Sequence, residues 1–325
     1  MGSLDVEVRS ASPYRLPRGS SDGTLRIEGG VARRLLQVEG APVLVRAWQP
    51  GRDRVVLRAE AVSPGALRFS RDALAIRRAA GAPEAGPANR AQLCTAIERM
   101  RFALGVDYDL APFHRRFRAD PLLRPLIRRA PHFRPLRAPW PWEALASALV
   151  KQLIESSRAA LIERRIVGRW GARLGDGRSA PRDAPAAATI AGRAPAELQA
   201  MDLSAGRAVA LRRLARAVAA GRCDVADPGA DPRLLATPEI GPWTVQCLAL
   251  FGRGEMDSLP AGDLGYIKLV GHLANLGRRA TIPEVEEFYA PYEPYRGLVG
   301  TLTLSGLHRT IATGPPLRYA AQRVL

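Results

Sequence analysis

Nowhere does this sequence run through about 18 consecutive apolar residues, so no membrane-spanning helix is expected. The opening residues, MGSLDVEVRS, lack a basic segment followed by an apolar one, so no secretion signal is expected either. Cysteine is scarce. Cys94, Cys223 and Cys247 are an odd number at spacings that match no metal or disulfide framework, which points to a reduced, cytoplasmic protein. The histidines His114, His132, His272 and His308 show no ligand spacing and read as structural or surface residues; no metal site is expected. Lysine is nearly absent as well, for all the basic residues except Lys151 and Lys268 are arginine.

What is present is positive charge. The chain carries 48 basic against 31 acidic side chains, a net charge of +17, with a pI near 11.1. So basic a protein usually meets a polyanion, nucleic acid first among them. A GC-rich genome would inflate arginine in the same way, so the charge alone does not assign a function. With 325 residues, 47% hydrophobic and 24% charged, the chain can build two or three compact units.

The two ends of the chain obey different periodicities. Up to about residue 80, TLRIE (24–28), VLVRAW (43–48), RVVLRAEAV (54–62) and LRFS (67–70) alternate with period two, separated by turn-forming residues. GGVARRLLQVEG (29–40) reads as a short amphipathic helix between the first two strands. GAPEAGPAN (81–89) reads as a linker. Beyond it, apolar residues recur at three and four spacing in RAQLCTAIERMRFALG, ADPLLRPLIRRA, WEALASALVKQLIESSRAALIERRIVGRWG and AGRAVALRRLARAVAAG, the helical signature. The expected fold is an α+β N-terminal domain with a small antiparallel sheet (1–88), followed by an all-α region (89–325) of two helical subdomains with a cleft between them.

One stretch concentrates the chemistry. DPRLLATPEIGPWTVQCLALFG (231–252) reads as helix, tight hairpin, helix. Asp231 and Pro232 look like the cap and first turn of the first helix. Gly241 is expected at a positive φ, and Pro242 suits the opening turn of the second helix. A helix that begins this way presents free backbone N–H groups and the positive end of its dipole, which is a seat for a phosphate. The carboxylate of Glu239 at the tip should repel a phosphate backbone unless it turns to arginine or solvent, so Glu239→Gly is expected to tighten DNA binding.

Eleven residues after the second helix comes Asp263, inside DSLPAGDLGYIKLVGHL (257–273). Here the sequence resembles the helix-hairpin-helix DNA glycosylases, and within them the alkylated-purine branch, DNA-3-methyladenine glycosylase II (AlkA-like). That family has a hairpin of the form Pro-Gly-Ile-Gly-x-Trp-Thr-Ala, then Leu-Pro-x-x-Asp, then a helix with Ile-Lys. This chain has Pro238-Glu239-Ile240-Gly241-Pro242-Trp243-Thr244-Val245, Leu259-Pro260-Ala261-Gly262-Asp263 and Ile267-Lys268. Upstream, LGVDYDLAPFHRRFRADPLLRPLI, ALVKQLIESSRAA and LSAGRAVALRRLA are similar to further family segments, so the resemblance covers most of the chain.

The resemblance implies a monofunctional DNA N-glycosylase of base excision repair that flips alkylated purines such as 3-methyladenine and 7-methylguanine and releases them hydrolytically. The alternative is a DNA-binding protein with the same hairpin that is non-catalytic or altered in specificity. The family's catalytic carboxylate falls on Asp263, in the apolar company of Leu259, Leu264 and Ile267; a plain helix N-cap is the competing reading. The chemistry agrees, because an alkylated purine leaves already charged and one carboxylate facing the sugar then suffices. Asp257 is the weaker rival.

Trp243 is the expected pocket wall and stands where a lyase would carry its Schiff-base lysine, so no lyase activity is expected. Lys268 lies about 140° around its helix from Asp263 and reads as a phosphate or structural contact. Gln152, Tyr292 and Leu304 complete the expected base pocket, Leu304 standing near the place of a second family tryptophan that this chain lacks. Leu153 is the candidate wedge into the duplex, with a core leucine as the competing reading. Arg207, Pro238, Ile240, Gly241 and Thr244 are the remaining expected DNA contacts. No cofactor is implied beyond a monovalent cation at the hairpin, and the four-cysteine spacing of the iron–sulfur branch is missing. The implied partner is double-stranded DNA containing damaged bases, met by a monomer in the cytoplasm at the nucleoid.

Overall fold

The computed structural model describes residues 2–70, 74, 86–177 and 179–313, with side chains described to residue 307. Five strands, β1 (Ser3–Arg9), β2 (Arg26–Glu28), β3 (Val31–Val38), β4 (Ala41–Trp48) and β5 (Arg54–Ala61), form an antiparallel sheet in the order β1-β5-β4-β3-β2. The segment read as an amphipathic helix is β3. Two-residue loops bracket it, Gly29-Gly30 and Glu39-Gly40, and all four residues have positive φ. Such loops match the twist of antiparallel strands and close a hairpin on each side, which fixes the segment as a strand despite its helix-like spacing. The alternation in SLDVEVR, unassigned from the sequence, is β1 at the sheet edge, where Asp5 and Arg58 pair across the register.

The strand read over 67–70 does not join this sheet. Leu67–Arg68 (β6) pairs instead with Arg173–Leu174 (β7), far along the chain. Residues 81–85 of the linker lie outside the described residues. After it, α1 (Arg90–Leu104) starts at a capping box, Asn89 accepting from the Gln92 N–H and the Gln92 side chain accepting from that of Asn89. It lays Leu93, Ile97, Met100 and Leu104 on Leu36, Val43, Val45, Val55 and Leu57 of the sheet.

Two further cores are helical. In the first, α4 (Pro141–Lys151), α5 (Ser156–Trp170), α6 (Ala187–Ala191), α7 (Pro195–Gln199) and α8 (Ala205–Ala219) bury Trp142, Leu149, Ile162, Trp170, Leu211 and Leu214. In the second, α2 (Ala111–Phe117) and α3 (Leu123–Arg129) pack with α11 (Leu264–Leu273), α12 (Ile282–Tyr289) and α13 (Arg296–Thr313) around Phe113, Leu123, Tyr266, Tyr289 and Leu298. The hairpin helices α9 (Asp231–Leu235) and α10 (Pro242–Leu248) join the two. Leu248 belongs to the first core, and Leu250, on the π-helical turn Ala249–Arg253 that continues α10, belongs to the second. The hairpin therefore opens at the seam between the helical subdomains.

Asp231 does not cap α9 with its side chain. Its carboxylate takes a two-pronged contact from Arg253, at 2.9 Å on each oxygen, and so ties the start of the hairpin to its end. The 142–171 stretch, which has one continuous helical pattern, is broken at residues 152–155 between α4 and α5. That break is where the site begins.

Candidate active site

Asp263 sits at the N-cap of α11. Its Oδ1 accepts from the Gly265 N–H at 2.7 Å, so the simple capping role is real. Its Oδ2 does something a cap does not need: it accepts from the indole Nε1 of Trp243 at 3.3 Å. The two ends of the family motif thus meet across 20 residues. Around them lie small and apolar groups. A Cβ on Gly262 would stand 3.7 Å from Trp243 Cβ and 3.6 Å from Ile282, and one on Gly265 would stand 2.9 Å from both Asp263 Oδ1 and Leu304 Cδ1. Leu304 is therefore at the site, beside the carboxylate. Leu264 and Ile282 are exposed apolar side chains on the same rim.

Asp257, the rival carboxylate, is spent. It accepts from the backbone N–H and the guanidinium of Arg296, at 3.0 Å to both the amide and Nε, a structural ion pair. Cys247 and Tyr266 lie beneath Asp263. Burial, reinforced by the negative charge of Asp263, pushes the Cys247 thiol well above its ordinary range. Burial, then Tyr289 and Asp263, does the same to Tyr266. Both stay protonated, so Asp263 faces neutral neighbours from below.

The hairpin differs in detail from the reading above. Gly241 has φ −105°, an ordinary extended value, and the positive φ falls two residues earlier on Glu239, at 71°. Nothing within the protein requires glycine at 241: a Cβ there would meet nothing within 4 Å, so the position is open to approach from outside. Ile240 is buried in the first helical core and Pro238 is exposed at the tip. Thr244 is buried, with its hydroxyl turned inward to the Gln152 side chain, which donates to it at 2.8 Å. Thr244 is thereby a structural contact in this structure and not an outward one.

Gln152 also donates to the Glu239 carbonyl at 2.7 Å, so it braces the hairpin tip. Arg207 likewise serves the protein, donating to the carbonyls of Val150 (3.2 Å) and Gln152 (3.0 Å) and so satisfying the open end of α4. Tyr292, expected in the base pocket, is buried in the second helical core, its ring 5.5 Å from that of Phe117. Its neighbours are aromatic core residues. Lys268 is exposed on α11, and Lys151 pairs with the buried Glu163 at 3.3 Å.

Leu153 has neither of the ordinary properties of a core leucine. It is 93% exposed and its φ is +54°, a left-handed value that disfavours side chains. A large apolar side chain is thus held out into solvent on strained backbone, free to meet another surface. The helical periodicity of its neighbours concealed this, and no local signal in the sequence marks it.

The hairpin carbonyls of Thr237, Glu239 and Gly241 already accept hydrogen bonds from Ile240, Gln152 and Thr244. Those of Thr237 and Glu239 each keep a second lone pair. Among the described residues no group of three or more His, Cys, Asp or Glu side chains is placed to hold a metal. His114 and His132 are pushed below their ordinary range, burial being the first cause in each. The His308 side chain lies outside the described residues. No helix among the described residues is long and apolar enough to cross a membrane.

Comparison with known proteins gives the class first. The chain superposes on the 3-methyladenine DNA-glycosylase from Archaeoglobus fulgidus with a TM-score of 0.74 at 18% identity, covering 94% of this chain and 98% of that one. It also superposes on the apo 8-oxoguanine glycosylase/lyase of Clostridium acetobutylicum, with a TM-score of 0.62 at 15% identity, covering 93% and 95%. The fold is that of the helix-hairpin-helix DNA glycosylases.

By sequence the chain is similar to AlkA-type proteins. It is 28% identical over 214 residues, 62% of this chain and 41% of the relative, to a Mycobacterium tuberculosis protein named a probable bifunctional transcriptional activator/DNA repair enzyme AlkA. It is 24% identical over 197 residues, 59% of this chain and 65% of the relative, to the DNA-3-methyladenine glycosylase of Bacillus subtilis. The chain spans less than two thirds of the length of these curated relatives. No protein-family model matches it.

Proposed function

We propose that this protein is a monofunctional DNA N-glycosylase that removes alkylated purines, of the 3-methyladenine and 7-methylguanine type, from double-stranded DNA. The observation that carries this reading is the Asp263 carboxylate, oriented by the Gly265 N–H and the Trp243 indole at the seam beside the hairpin. A non-catalytic DNA-binding protein would have no use for a carboxylate held that way. The names of the sequence relatives support the same substrate class.

An N3- or N7-alkylated purine carries a positive charge on the base. When the bond between N9 and C1′ breaks, its electron pair passes to N9 and the base leaves neutral. The positive charge moves to the sugar as an oxocarbenium ion, which Asp263 stabilises electrostatically. Water then adds to C1′ and loses a proton, leaving an abasic site. To reach C1′ the nucleotide must be extruded, with Trp243 as the stacking wall and Leu153 as the wedge that fills the gap. The Gly241 end of the hairpin takes a backbone phosphate. Arg207 and Gln152 contribute by holding the wedge segment, and Lys268 reaches the phosphates from α11.

The absence of lyase chemistry rests on Trp243 standing at the Schiff-base position. Neither lysine replaces it, since Lys151 is paired with Glu163 and Lys268 points out on α11. No metal or cluster is required. The enzyme acts as a monomer on chromosomal DNA at the nucleoid. The test is incubation with methylated duplex DNA followed by measurement of free methylpurines, with Asp263→Asn as the control and borohydride trapping to detect any Schiff base. Release no greater than the control would sink the enzyme reading. A trapped protein–DNA adduct would sink the monofunctional one.

A further inference from the structure

Glu239 is an anion at a place where the proposed function wants none, on a backbone conformation that favours glycine. Its carboxylate has a definite destination. Glu239 is exposed, and its carboxylate lies against Gly206, in the first turn of the 15-residue helix α8. A Cβ on Gly206 would stand 2.8 Å from Glu239 Cδ and would collide with Oε1, so only glycine leaves this seat open. The N-terminal turn of a helix carries the positive end of its dipole, which attracts a carboxylate. No side-chain hydrogen bond from Ser204 caps α8, and the Ser204 hydroxyl accepts from Arg207 instead.

This contact closes a triangle. Arg207, one residue beyond Gly206, donates to the carbonyls of Val150 and Gln152. Gln152 donates to the carbonyl of Glu239 itself. Glu239 then returns to Gly206. Three segments distant in sequence, 150–153, 204–207 and 239–244, are thus joined pairwise, and Leu153 stands exposed at one corner.

We propose that Glu239 is a positioning residue: by seating its carboxylate on the first turn of α8 at Gly206, it locks the hairpin tip to the segment that presents Leu153. The proposal rests on the glycosylase reading for its consequence, insertion of Leu153 during base extrusion, but not for the brace itself. With its charge set against the helix terminus, Glu239 also repels a phosphate backbone less than its position in the sequence suggests.

Two variants approach the same contact from opposite sides. Glu239→Gly removes the carboxylate and relieves the positive φ, while Gly206→Ala leaves Glu239 in place but evicts it from its seat. Alanine is the better helix former, so a defect in Gly206→Ala does not come from weakening α8. Both should slow single-turnover release of methylpurine about tenfold, since small misplacements remote from the reacting atoms are costly. Glu239→Gly alone should bind undamaged duplex about two- to threefold tighter, because a negative charge has left the interface. Glu239→Gln, which keeps the reach but loses the charge, should bind undamaged duplex as tightly as Glu239→Gly and fall between it and the parent in release.

Amide hydrogen exchange over residues 150–155 in the free protein should quicken in both variants, a readout that needs no substrate. Exchange and release at the parent values in either variant would overturn the brace. If the parent itself released no methylpurine, the glycosylase reading would fail, and the exchange measurement would still decide whether the brace exists.

Discussion

The indole Nε1 of Trp243 donates to Oδ2 of Asp263 at 3.3 Å, joining the first turn of α10 to the N-cap of α11. An aromatic ring and a carboxylate are thereby fixed relative to each other. That pairing separates two properties that mutation can probe one at a time.

Asp263→Asn keeps a side chain that caps α11 about as well as aspartate does, so folding should be unchanged. It removes the charge proposed to meet the developing cation, and release should fall by about 100-fold or more. Trp243→Phe keeps an aromatic wall but loses the N–H, so it should cost less than Asp263→Asn. Single-turnover release on one methylated duplex, with thermal melting alongside, measures both; a Trp243→Phe enzyme as slow as Asp263→Asn would make the hydrogen bond, not the wall, the dominant contribution.

Leu153→Gly removes an exposed side chain from left-handed backbone, so the free protein should gain about 0.5–1 kcal/mol of stability or lose nothing. Release from a paired lesion should nevertheless drop about tenfold or more, while release from a lesion in single-stranded DNA, where there is no gap to fill, should change far less. A stability loss of about 2 kcal/mol would instead mark a packed leucine.

At the join between the sheet and α4, Arg34 is paired with Glu143, and Asp183 and Asp22 face the same guanidinium. Burial pushes Glu143 up to about 8 and Asp183 up to about 6. A carboxyl raised above its unfolded value binds more protons folded than unfolded, so its contribution to stability is present at low pH and is lost as pH climbs through that window. These groups should therefore make unfolding free energy decline between pH 5 and pH 8. Glu143→Gln should flatten that decline, costing stability at pH 5 and less at pH 8. Urea unfolding at the two pH values checks it, and an equal cost at both would mean Glu143 does not titrate there.

Binding to undamaged duplex should weaken steeply with salt. If the arginine surplus neutralises about four phosphates or more, log K against log salt falls with a slope of about −3.6 or steeper. A nearly flat plot would show that most of the +17 charge is idle on DNA.

Read by itself, the sequence determined the class of fold, the hairpin and the place of Asp263 at the mouth of the helix that follows it. These are local properties. Period-two alternation, three-and-four spacing and the order Pro238, Gly241, Trp243, Asp263 are written within short windows. Even there, β3 passed for a helix, because VARRLLQV has apolar residues at helical spacing and the strand was decided by the positive-φ loops on either side and the partners they brought. What only the tertiary structure decided is where the polar side chains of the motif turn. Gln152 reaches Glu239 across 87 positions, Arg207 reaches Val150 across 57, and Glu239 settles on Gly206. No periodicity encodes such contacts, since they depend on how three helical segments converge at the seam. Leu153 belongs with them: its pattern reads as helix, and only the break after α4 turns it out into solvent.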